Sequence, residues 1–538
     1  MSITEKGPTV SHIESTSGLH HSTTHDASLG ADLEHELTFR EAVRIYKKAI
    51  FWSMFVSLTI IMEGYDTALI GSFYSYPSFV AKYGTYFERL HEKQITASWQ
   101  TGLTNAGNLG TLIGVGLNGW ASQKFGYKPV LLIALVWMAG SVFGTVFAPS
   151  LSVLVAAEVL CGVAWGVFAT SGPAYASEVM PVVLRGYLTT YVNLCWATGQ
   201  FISAGVLQGL VSRTDQWAYR IPFAIQWVWP PLIFAGLAFM PESPWYYVRK
   251  GDLVRAENSL NRLKSPEATG TTKAQLATMV HTNKLELEVS AGTSYLDCFR
   301  GVDLRRTEIV CVTFVCQVLS GSAFAYNATY FFTQAGLSTD AAYKMNLGDT
   351  AIAFCGTIFS WVLISKFGRR SLFVSGLAIL TVVLALIGIC STASSSTGSR
   401  WAQSSLSIAW LGIYSSTVGP VCYAIIAETS STRLRAKSVA LARNSYSVVN
   451  ILANTAEPYL INPSELGLKG RTGFVWMATC FVALIWAFFR LPECKGRTYE
   501  ELDILFVKQV PARKFSSTSV DVYNGDADEV MKGQDKHY

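Results

Sequence analysis

Residues 175–186 read "YASEVMPVVLRG", and residues 425–436 read "IIAETSSTRLRA". In each stretch a glutamate is followed seven residues later by an arginine, which makes the two stretches copies of one signature. An internal repeat of this kind indicates that the two halves of the chain are built on one plan.

Two shorter signatures repeat in the same order. "QKFGYK" at residues 123–128 matches "SKFGRR" at residues 365–370, and "PESP" at residues 241–244 matches "PECK" at residues 492–495. The separation between copies is nearly the same for all three signatures. The repeat therefore predicts two similar units that follow each other in parallel order.

The composition is that of a membrane protein. Half of the 538 residues are hydrophobic, only 15% are charged, and the mean hydropathy is +0.30. Long uncharged runs each approach the roughly 20 residues that a helix needs to cross a bilayer, and they lack the alternation of a lipid-facing strand. About twelve such spans occur, near residues 50–72, 98–119, 129–148, 152–172, 188–211, 221–240, 307–331, 347–365, 371–391, 405–427, 438–460 and 472–490. We predict an all-α membrane protein with twelve transmembrane helices.

Half of these spans precede a polar stretch and half follow it, which predicts two six-helix bundles related by a pseudo-twofold axis, with a binding site between them. Lysine and arginine concentrate in alternate loops, and the positive-inside rule places those loops and both termini in the cytoplasm. The predicted units are a disordered tail (1–49), an N-terminal bundle (50–240), cytoplasmic linker helices (241–306), a C-terminal bundle (307–492) and a second tail (493–538).

The sequence lacks the motifs that several kinds of chemistry require. No GxxxxGKS/T stretch is present to cradle the phosphates of ATP. The ten cysteines are scattered without a CxxC or metal-ligand spacing, and none of the eight histidines falls inside a predicted span. We expect no cofactor, no metal, no nucleic-acid partner and no enzymatic activity, and any proton chemistry within the membrane must use carboxylates.

The chain resembles the sugar-porter branch of the major facilitator superfamily from about residue 40 to 515, with "PESPWYYVRKGD" at 241–252 as one mark of that branch. "MEGYDTALIGSFY" at 62–74 and "CQVLSGSAFAYNATYFFTQAG" at 316–336 are similar to the fungal maltose/α-glucoside permeases. The resemblance implies a plasma-membrane importer that moves disaccharides or short glucosides together with protons by alternating access.

Two acids, Glu63 and Asp66, lie near the middle of the first span. A carboxylate there costs roughly 2.5 kcal/mol or more and usually faces a water-filled cavity. Being three residues apart, the two acids share one face of the helix. We predict that they share a proton, because ionising both in a low dielectric is costly. A buried polar pair that only holds the helix is the alternative.

Two further charges fall inside predicted spans. Arg443 could neutralise the acids of the first helix and release them on protonation, which fits the carboxylate–arginine arrangement that the resemblance implies. An arginine reaching out from a helix end is the alternative. Glu158 stands where many sugar porters have an arginine paired with the first-helix aspartate, which makes Arg443 the better predicted partner. Glu158 remains open as a second proton site or a structural acid.

Buried amides and aromatic rings are the expected sugar ligands, because sugar hydroxyls take directed hydrogen bonds and rings pack on the apolar sugar face. Gln317 matches the glutamine motif of the family's seventh helix. Val318 and Ala323 replace the second glutamine and the asparagine of hexose carriers, which favours a larger glucoside. Helix–helix hydrogen bonding and core packing are the alternatives for each position. The predicted binding residues are Asn193, Gln200, Gln226, Gln317, Asn444 and Tyr326.

The repeated signatures lie at predicted cytoplasmic helix ends, where ion pairs could close the inner side and open as the halves rock. Satisfying the helix ends is the alternative role. The predicted gating residues are Glu178, Arg185, Glu428, Arg435, Arg369 and Arg370.

The loops depart from the family's G-x-x-x-D-x-x-G-R-K pattern. Gln123 and Ser365 stand at the acid positions, and Tyr127 stands at an arginine position. These departures raise a second hypothesis, a sugar sensor or transceptor for disaccharides (including cellobiose or lactose) with weak or no transport. A facilitator without proton coupling is a third. Serines and lysines in the C-terminal tail suit phosphorylation or ubiquitination.

Overall fold

The structure is a computed structural model that describes residues 38–88, 91–265, 271–290, 294–393, 396–430, 434–497 and 499–518. Most of the predicted N-terminal tail and the end of the C-terminal tail lie outside these residues. The helical chain begins within the predicted first tail, because Thr38 caps a short helix by accepting a hydrogen bond from the backbone N–H of Glu41.

The N-terminal half is helical apart from one hairpin, in which Thr85 pairs with Gln94. Its elements are α1 (Phe39–Ile45), α2 (Lys47–Phe73), α3 (Pro77–Tyr83), β1 (Thr85–Phe87), β2 (Glu92–Gln94), α4 (Ala97–Phe125), α5 (Tyr127–Val146), α6 (Leu151–Val179), α7 (Val182–Leu210), α8 (Trp217–Ile225) and α9 (Trp229–Leu237).

Short helices connect the halves, and the C-terminal half repeats the order of the first. The linker contains α10 (Pro244–Lys250), α11 (Leu253–Leu263) and α12 (Thr272–Ser290). The second half contains α13 (Gly301–Leu319), α14 (Ser322–Tyr326), α15 (Ala328–Gln334), α16 (Thr339–Lys366), α17 (Arg369–Ala393), α18 (Thr397–Ser416), α19 (Val418–Thr429), α20 (Arg435–Ile461), α21 (Thr472–Arg490) and α22 (Tyr499–Val507).

By length and composition, 7 helices within the described residues could cross a membrane; they include α2, α5, α6, α16 and α17. The other predicted spans are also present as helices, which are either less apolar or broken into shorter pieces. α4, α7 and α20 are long but carry many Gly, Asn, Gln and Ser residues. The sixth span is split into α8 and α9 by one 3-10 turn, Gln226–Val228, and the seventh breaks at Gly321, whose φ of 95° suits glycine. The chain thus has the predicted twelve-helix arrangement.

The linker and the C-terminal segment are tied to the helical bundles. The backbone N–H of Ser265 donates to the carbonyl oxygen of Ile45, which joins the linker to α1 at 2.8 Å. At the other end of the chain, Arg306 of α13 forms an ion pair with Asp503 of α22 at 2.6 Å. Both segments are therefore parts of the folded molecule.

Candidate functional site

Helices α2 and α7 approach so closely that their backbones touch. A Cβ atom at Gly64 would overlap the carbonyl oxygen of Trp196, and one at Gly199 would overlap that of Ile61. Glycine is required at both positions, because a side chain would force the helices apart. This contact fixes the rotation of α2, with Asp66 fully buried two residues after Gly64.

Asp66 contacts two polar side chains of its own bundle. Its Oδ1 accepts a hydrogen bond from Nε2 of Gln226, which lies in the turn that splits the sixth span. Its carboxyl group also interacts with that of Glu158, from the first half of α6. Glu158 exposes only 1% of its surface, so the carboxyl pair is sealed from solvent in this conformation.

The surroundings of the Asp66–Glu158 pair favour the binding of a proton. Within the described part of the chain, neither Oδ2 of Asp66 nor Oε1 of Glu158 has a hydrogen-bond donor, and both atoms are buried. Two ionised carboxylates in contact would repel each other strongly in this low-dielectric site. One proton removes a charge and allows one carboxyl group to donate to the other.

Glu63 interacts with the opposite bundle instead. It is partly exposed, and its electrostatic partner is Arg443 of α20. The two side chains form none of the direct ion pairs found among the described residues, and the guanidinium carbon of Arg443 lies 5.8 Å from the ring centroid of Tyr446. In this structure Asp66 therefore interacts with Glu158 and Glu63 interacts with Arg443, and the sharing of a proton between Glu63 and Asp66 stays a prediction. Because α2 lies at the interface between the bundles, a step of three residues is enough to place its two acids in different surroundings.

Gln317 is buried in the C-terminal bundle with both ends of its amide engaged. Its Oε1 accepts from the hydroxyl of Tyr414 at 3.0 Å, and its Nε2 donates to Sγ of Cys422 at 3.1 Å. Tyr414 stacks on Trp410 with ring centroids 5.1 Å apart, and Tyr326 meets Tyr414 edge-on at 6.5 Å. These rings form an aromatic wall in front of the amide.

The remaining predicted sugar ligands lie on α14, α7 and α20. Tyr326 packs edge-on against Trp196 of α7 at 5.4 Å, so the wall reaches across to the N-terminal half. Gln200, one turn further along α7, is 7% exposed, whereas Asn193 is partly exposed and Asn444 of α20 is exposed.

Asp349 is a buried acid that the sequence patterns did not indicate. It is 2% exposed, its Oδ1 has no donor among the described residues, and it interacts electrostatically with Tyr326. The predicted span began at residue 347, which put Asp349 near the membrane surface. Because α16 begins at Thr339, the acid lies about three turns inside the helix.

At the end of the bundles where α6 finishes, Glu178 is bonded within its own half. Its Oε1 accepts from the hydroxyl of Tyr127 at 3.0 Å and from Arg249 of α10 at 2.8 Å, and the hydroxyl of Ser243 donates to Oε2. Tyr127 thus binds Glu178 from a position where the family loop has arginine. The side chain of Arg185 lies outside the described residues, so its gating role remains a prediction.

Glu428 occupies the matching place in the second half. Its Oε1 accepts from Nε of Arg369 at 3.0 Å, which joins the two repeated signatures. The neighbouring Arg370 does not join this ion pair, because successive residues of a helix point about 100° apart. It donates instead to the carbonyl oxygen of Phe488 at 2.8 Å, and its gating role remains a prediction. Arg435 begins α20, and its gating role remains a prediction.

The repeated "PES" and "PEC" signatures cap helices. Glu242 accepts from the backbone N–H groups of the first two residues of α5 at 3.0 and 2.9 Å, and Glu493 accepts from the first residue of α17 at 2.8 Å. Burial raises the pKa of Glu242, and these N–H donors oppose that shift. A Cβ at Gly126 or Gly368 would overlap the capping carboxylates, which explains the glycine of both loops.

The two halves are bonded to each other at the end where α2 finishes. The hydroxyl of Tyr343 donates to the carbonyl oxygen of Ser72 at 2.5 Å, and the hydroxyls of Ser72 and Thr329 lie 3.2 Å apart. Asn105 of α4 donates to the hydroxyl of Thr455 of α20 at 3.0 Å. These contacts close this end, while the acids of the repeated signatures at the opposite end bond within their own halves.

Two parallel helical bundles, joined at one end and holding a buried carboxyl pair, are the design of a secondary transporter that works by alternating access. A family model described as "Sugar (and other) transporter" matches residues 52–506. The chain belongs to this family, which confirms the resemblance seen in its motifs.

Curated relatives from Saccharomyces cerevisiae extend over nearly the whole chain. The "Alpha-glucosides permease MPH3" is 38% identical over 509 residues, covering 93% of this chain and 84% of that protein. The "Maltose permease MAL31" is 35% identical over 504 residues, covering 93% and 82%. The "General alpha-glucoside permease" is 35% identical over 522 residues, covering 96% and 83%.

Solved structures of a bacterial protein share the fold. The xylose transporter XylE from E. coli in a partially occluded inward open conformation gives a TM-score of 0.69 at 20% identity, covering 84% of this chain and 100% of that one. XylE bound to 6-bromo-6-deoxy-D-glucose, titled a major facilitator superfamily proton:xylose symporter, gives 0.68 at 22% identity, covering 86% and 99%. This likeness confirms the predicted major-facilitator arrangement.

Proposed function

We propose that the protein imports disaccharides or short glucosides of the maltose/α-glucoside type together with protons. The observation that carries this proposal is the buried pair of Asp66 and Glu158, which favours the binding of a proton and is hydrogen-bonded to Gln226. The yeast relatives are named maltose and alpha-glucoside permeases, and a structure with the same fold is titled a proton:xylose symporter. The proposed substrate class and the proposed coupling ion are both consistent with these names.

The carboxyl pair couples the proton to movement of the bundles through the cost of burying charge. With a proton bound, Asp66 and Glu158 satisfy each other and can be sealed from water. When the proton leaves, the added charge favours a hydrated pair and therefore an open cavity. During alternating access, the protein passes from one open state to the other through an intermediate that is closed at both ends. This closed intermediate therefore forms mainly when the carboxyl pair holds a proton.

Gln226 links the proton site to the sugar. Its Nε2 is held by Asp66, whereas its Oε1 is buried and has no donor among the described residues. A sugar hydroxyl can donate to that oxygen. Loss of the proton alters the hydrogen bonding of Asp66 and hence the position of the amide. Sugar affinity and protonation are thereby joined through one side chain.

The sugar itself would lie against the aromatic wall between the bundles. Tyr326 and Trp196 offer apolar ring faces, while Gln200 and Gln317 offer amides on opposite sides. Asn193 and Asn444 are proposed to contact the same ligand. Glu63 and Arg443 interact across the bundle interface, and we assign them to the electrostatics of the proton cycle.

The sensor hypothesis starts from the unusual loop residues Gln123, Tyr127 and Ser365. The bond from Tyr127 to Glu178 shows that one of these replacements still binds the acid of the repeated signature, which favours a moving transporter. A sensor would bind sugar and reach the cell surface without accumulating sugar.

The predicted cell location and partners complete the proposal. We place the protein in the plasma membrane because its relatives are named permeases. We place both termini in the cytoplasm because lysine and arginine concentrate in the corresponding loops. The C-terminal residues "RKFSSTSV" at 513–520 offer hydroxyls and a lysine for phosphorylation or ubiquitination.

The test is uptake of radiolabelled maltose, cellobiose and lactose in yeast that lacks its own disaccharide transporters. We expect accumulation of an α-glucoside driven by acid outside the cell. Surface expression and sugar binding without uptake would support the sensor instead. Equilibration without accumulation at any external pH would support a facilitator.

A further inference from the structure

A cluster of arginines lies at the end of the C-terminal bundle where α17 begins and α21 ends. The guanidinium carbon of Arg513 lies 4.1 Å from the ring centroid of Phe488, and that of Arg370 lies 5.7 Å from the same centroid. The two guanidinium carbons therefore lie no further apart than the sum of these two distances. Their positive charges repel each other. Arg490 and Arg305 lie at the same corner and repel each other in the same way.

The acids at this corner form their hydrogen bonds with other groups, although Glu493 also attracts Arg370 electrostatically. Glu308 accepts from Nε of Arg490 at 3.0 Å, and Glu493 caps α17. Arg370 and Arg513 take part in none of the ion pairs among the described residues, and Nε of Arg370 is buried without an acceptor. Two neighbouring guanidinium groups can bind an anion through charge-assisted hydrogen bonds.

The surroundings of the cluster indicate a lipid as the source of the anion. Phe488 and Phe489 close an apolar helix and are 42% and 58% exposed, as side chains that face acyl chains would be. Arg513 also lies 5.1 Å from the ring centroid of Phe489. The cations thus lie directly beyond an apolar surface, at the depth of a phospholipid headgroup.

The segment that carries Arg513 is held in place by other contacts. Arg305 donates to the carbonyl oxygen of Val510 at 2.9 Å, and Arg497 donates to that of Phe515 at 3.0 Å. The side chain of Phe515 is buried against the bundle. Arg513 is therefore presented to the cluster by a folded segment rather than by a trailing tail.

We propose that Arg370 and Arg513 bind the phosphate group of an anionic phospholipid in the leaflet at this end of the bundles. The phosphate replaces their repulsion by two charge-assisted hydrogen bonds, and the exposed rings contact the glycerol and first methylenes. Because one arginine belongs to α17 and the other to the C-terminal segment, the lipid holds that segment on the transporter. With the proposed orientation this is the cytoplasmic leaflet, which carries the anionic lipids.

The test is native mass spectrometry of the full-length protein in detergent, titrated with short-chain phosphatidylserine or phosphatidylcholine, with and without inorganic phosphate. Arg513→Gln and Arg370→Gln are compared with Arg255→Gln, a matched change at an exposed arginine of the linker. Arg513 is also exposed, so its replacement leaves the helical bundles intact, and the thermal unfolding of each variant checks its folding.

We expect the wild-type protein and Arg255→Gln to retain phosphatidylserine in preference to phosphatidylcholine. Each cluster variant should lose about fivefold in affinity for phosphatidylserine alone, the equivalent of about 1 kcal/mol for one arginine at a membrane surface. Unchanged affinity in both folded cluster variants would overturn the site. Displacement of the lipid by an equal concentration of inorganic phosphate would overturn its assignment to a lipid.

Discussion

Replacement of Glu158 by glutamine should separate the movement of sugar from the movement of protons. In the wild-type protein, Oδ2 of Asp66 has no donor among the described residues unless a proton is bound between the two carboxyl groups. The amide of glutamine can donate to that oxygen permanently. Oδ2 of Asp66 then has a hydrogen-bond donor without a proton. Protonation therefore no longer determines whether the site can close to water.

The size of the effect follows from the number of protons that the pair exchanges. If one proton is gained and lost in each cycle, a gradient of two pH units supplies about 2.7 kcal/mol per sugar. That energy supports about 100-fold accumulation of sugar inside an acid-bathed vesicle. In Glu158→Gln the ratio of internal to external sugar should fall to about one, while exchange of labelled for unlabelled sugar continues.

The assay uses proteoliposomes with acid outside, and it measures both uphill uptake and counterflow of radiolabelled maltose. Glu457→Gln is the matched control, because Glu457 is also a buried acid of a membrane helix, but its partner is Nε1 of Trp476 at 2.5 Å and not a second carboxyl group. Accumulation by Glu158→Gln equal to that of the wild-type protein would refute the assignment of the proton to the pair.

Three other changes test the packing, the closed end and the sugar site. Gly199→Ala should cost about 2 kcal/mol or more of stability by overlap with the carbonyl oxygen of Ile61, and wild-type thermal unfolding would contradict the close helix contact. Tyr343→Phe loses its bond to Ser72, worth about 1 kcal/mol. It should therefore shift the protein about fivefold toward the state open at that end, measured by labelling of an introduced cysteine; unchanged labelling would count against this gate. Gln317→Leu should raise the KM for sugar about tenfold, and an unchanged KM would remove Gln317 from the sugar site.

The repeat was the most informative feature of the sequence, because each copy performs the same local task. Glu242 and Glu493 both cap the helix that follows a "KFG" loop, and the glycine of each loop leaves room for that carboxylate. Such roles depend on short stretches that the fold brings together in the same way twice. They are therefore predictable once the halves are known to be equivalent.

The partner of Asp66 could not be predicted in this way. Helical spacing placed Glu63 on nearly the same face, but the choice of Glu158 depends on the rotation of α2, which Gly64 and Gly199 set through contacts between distant segments. Asp349 was missed for a different reason, because hydropathy locates the apolar part of a helix and not its first turns.

The central claim is that a proton on Asp66 drives the movement of sugar, and simultaneous measurement of both fluxes tests it most directly. Proteoliposomes containing a pH-sensitive dye and radiolabelled maltose report the protons and sugar that enter together. We predict that protons enter together with sugar in the wild-type protein, and that Asp66→Asn exchanges sugar without a proton flux. A proton flux of the wild-type size in Asp66→Asn, or sugar entry without protons in the wild-type protein, would contradict the account.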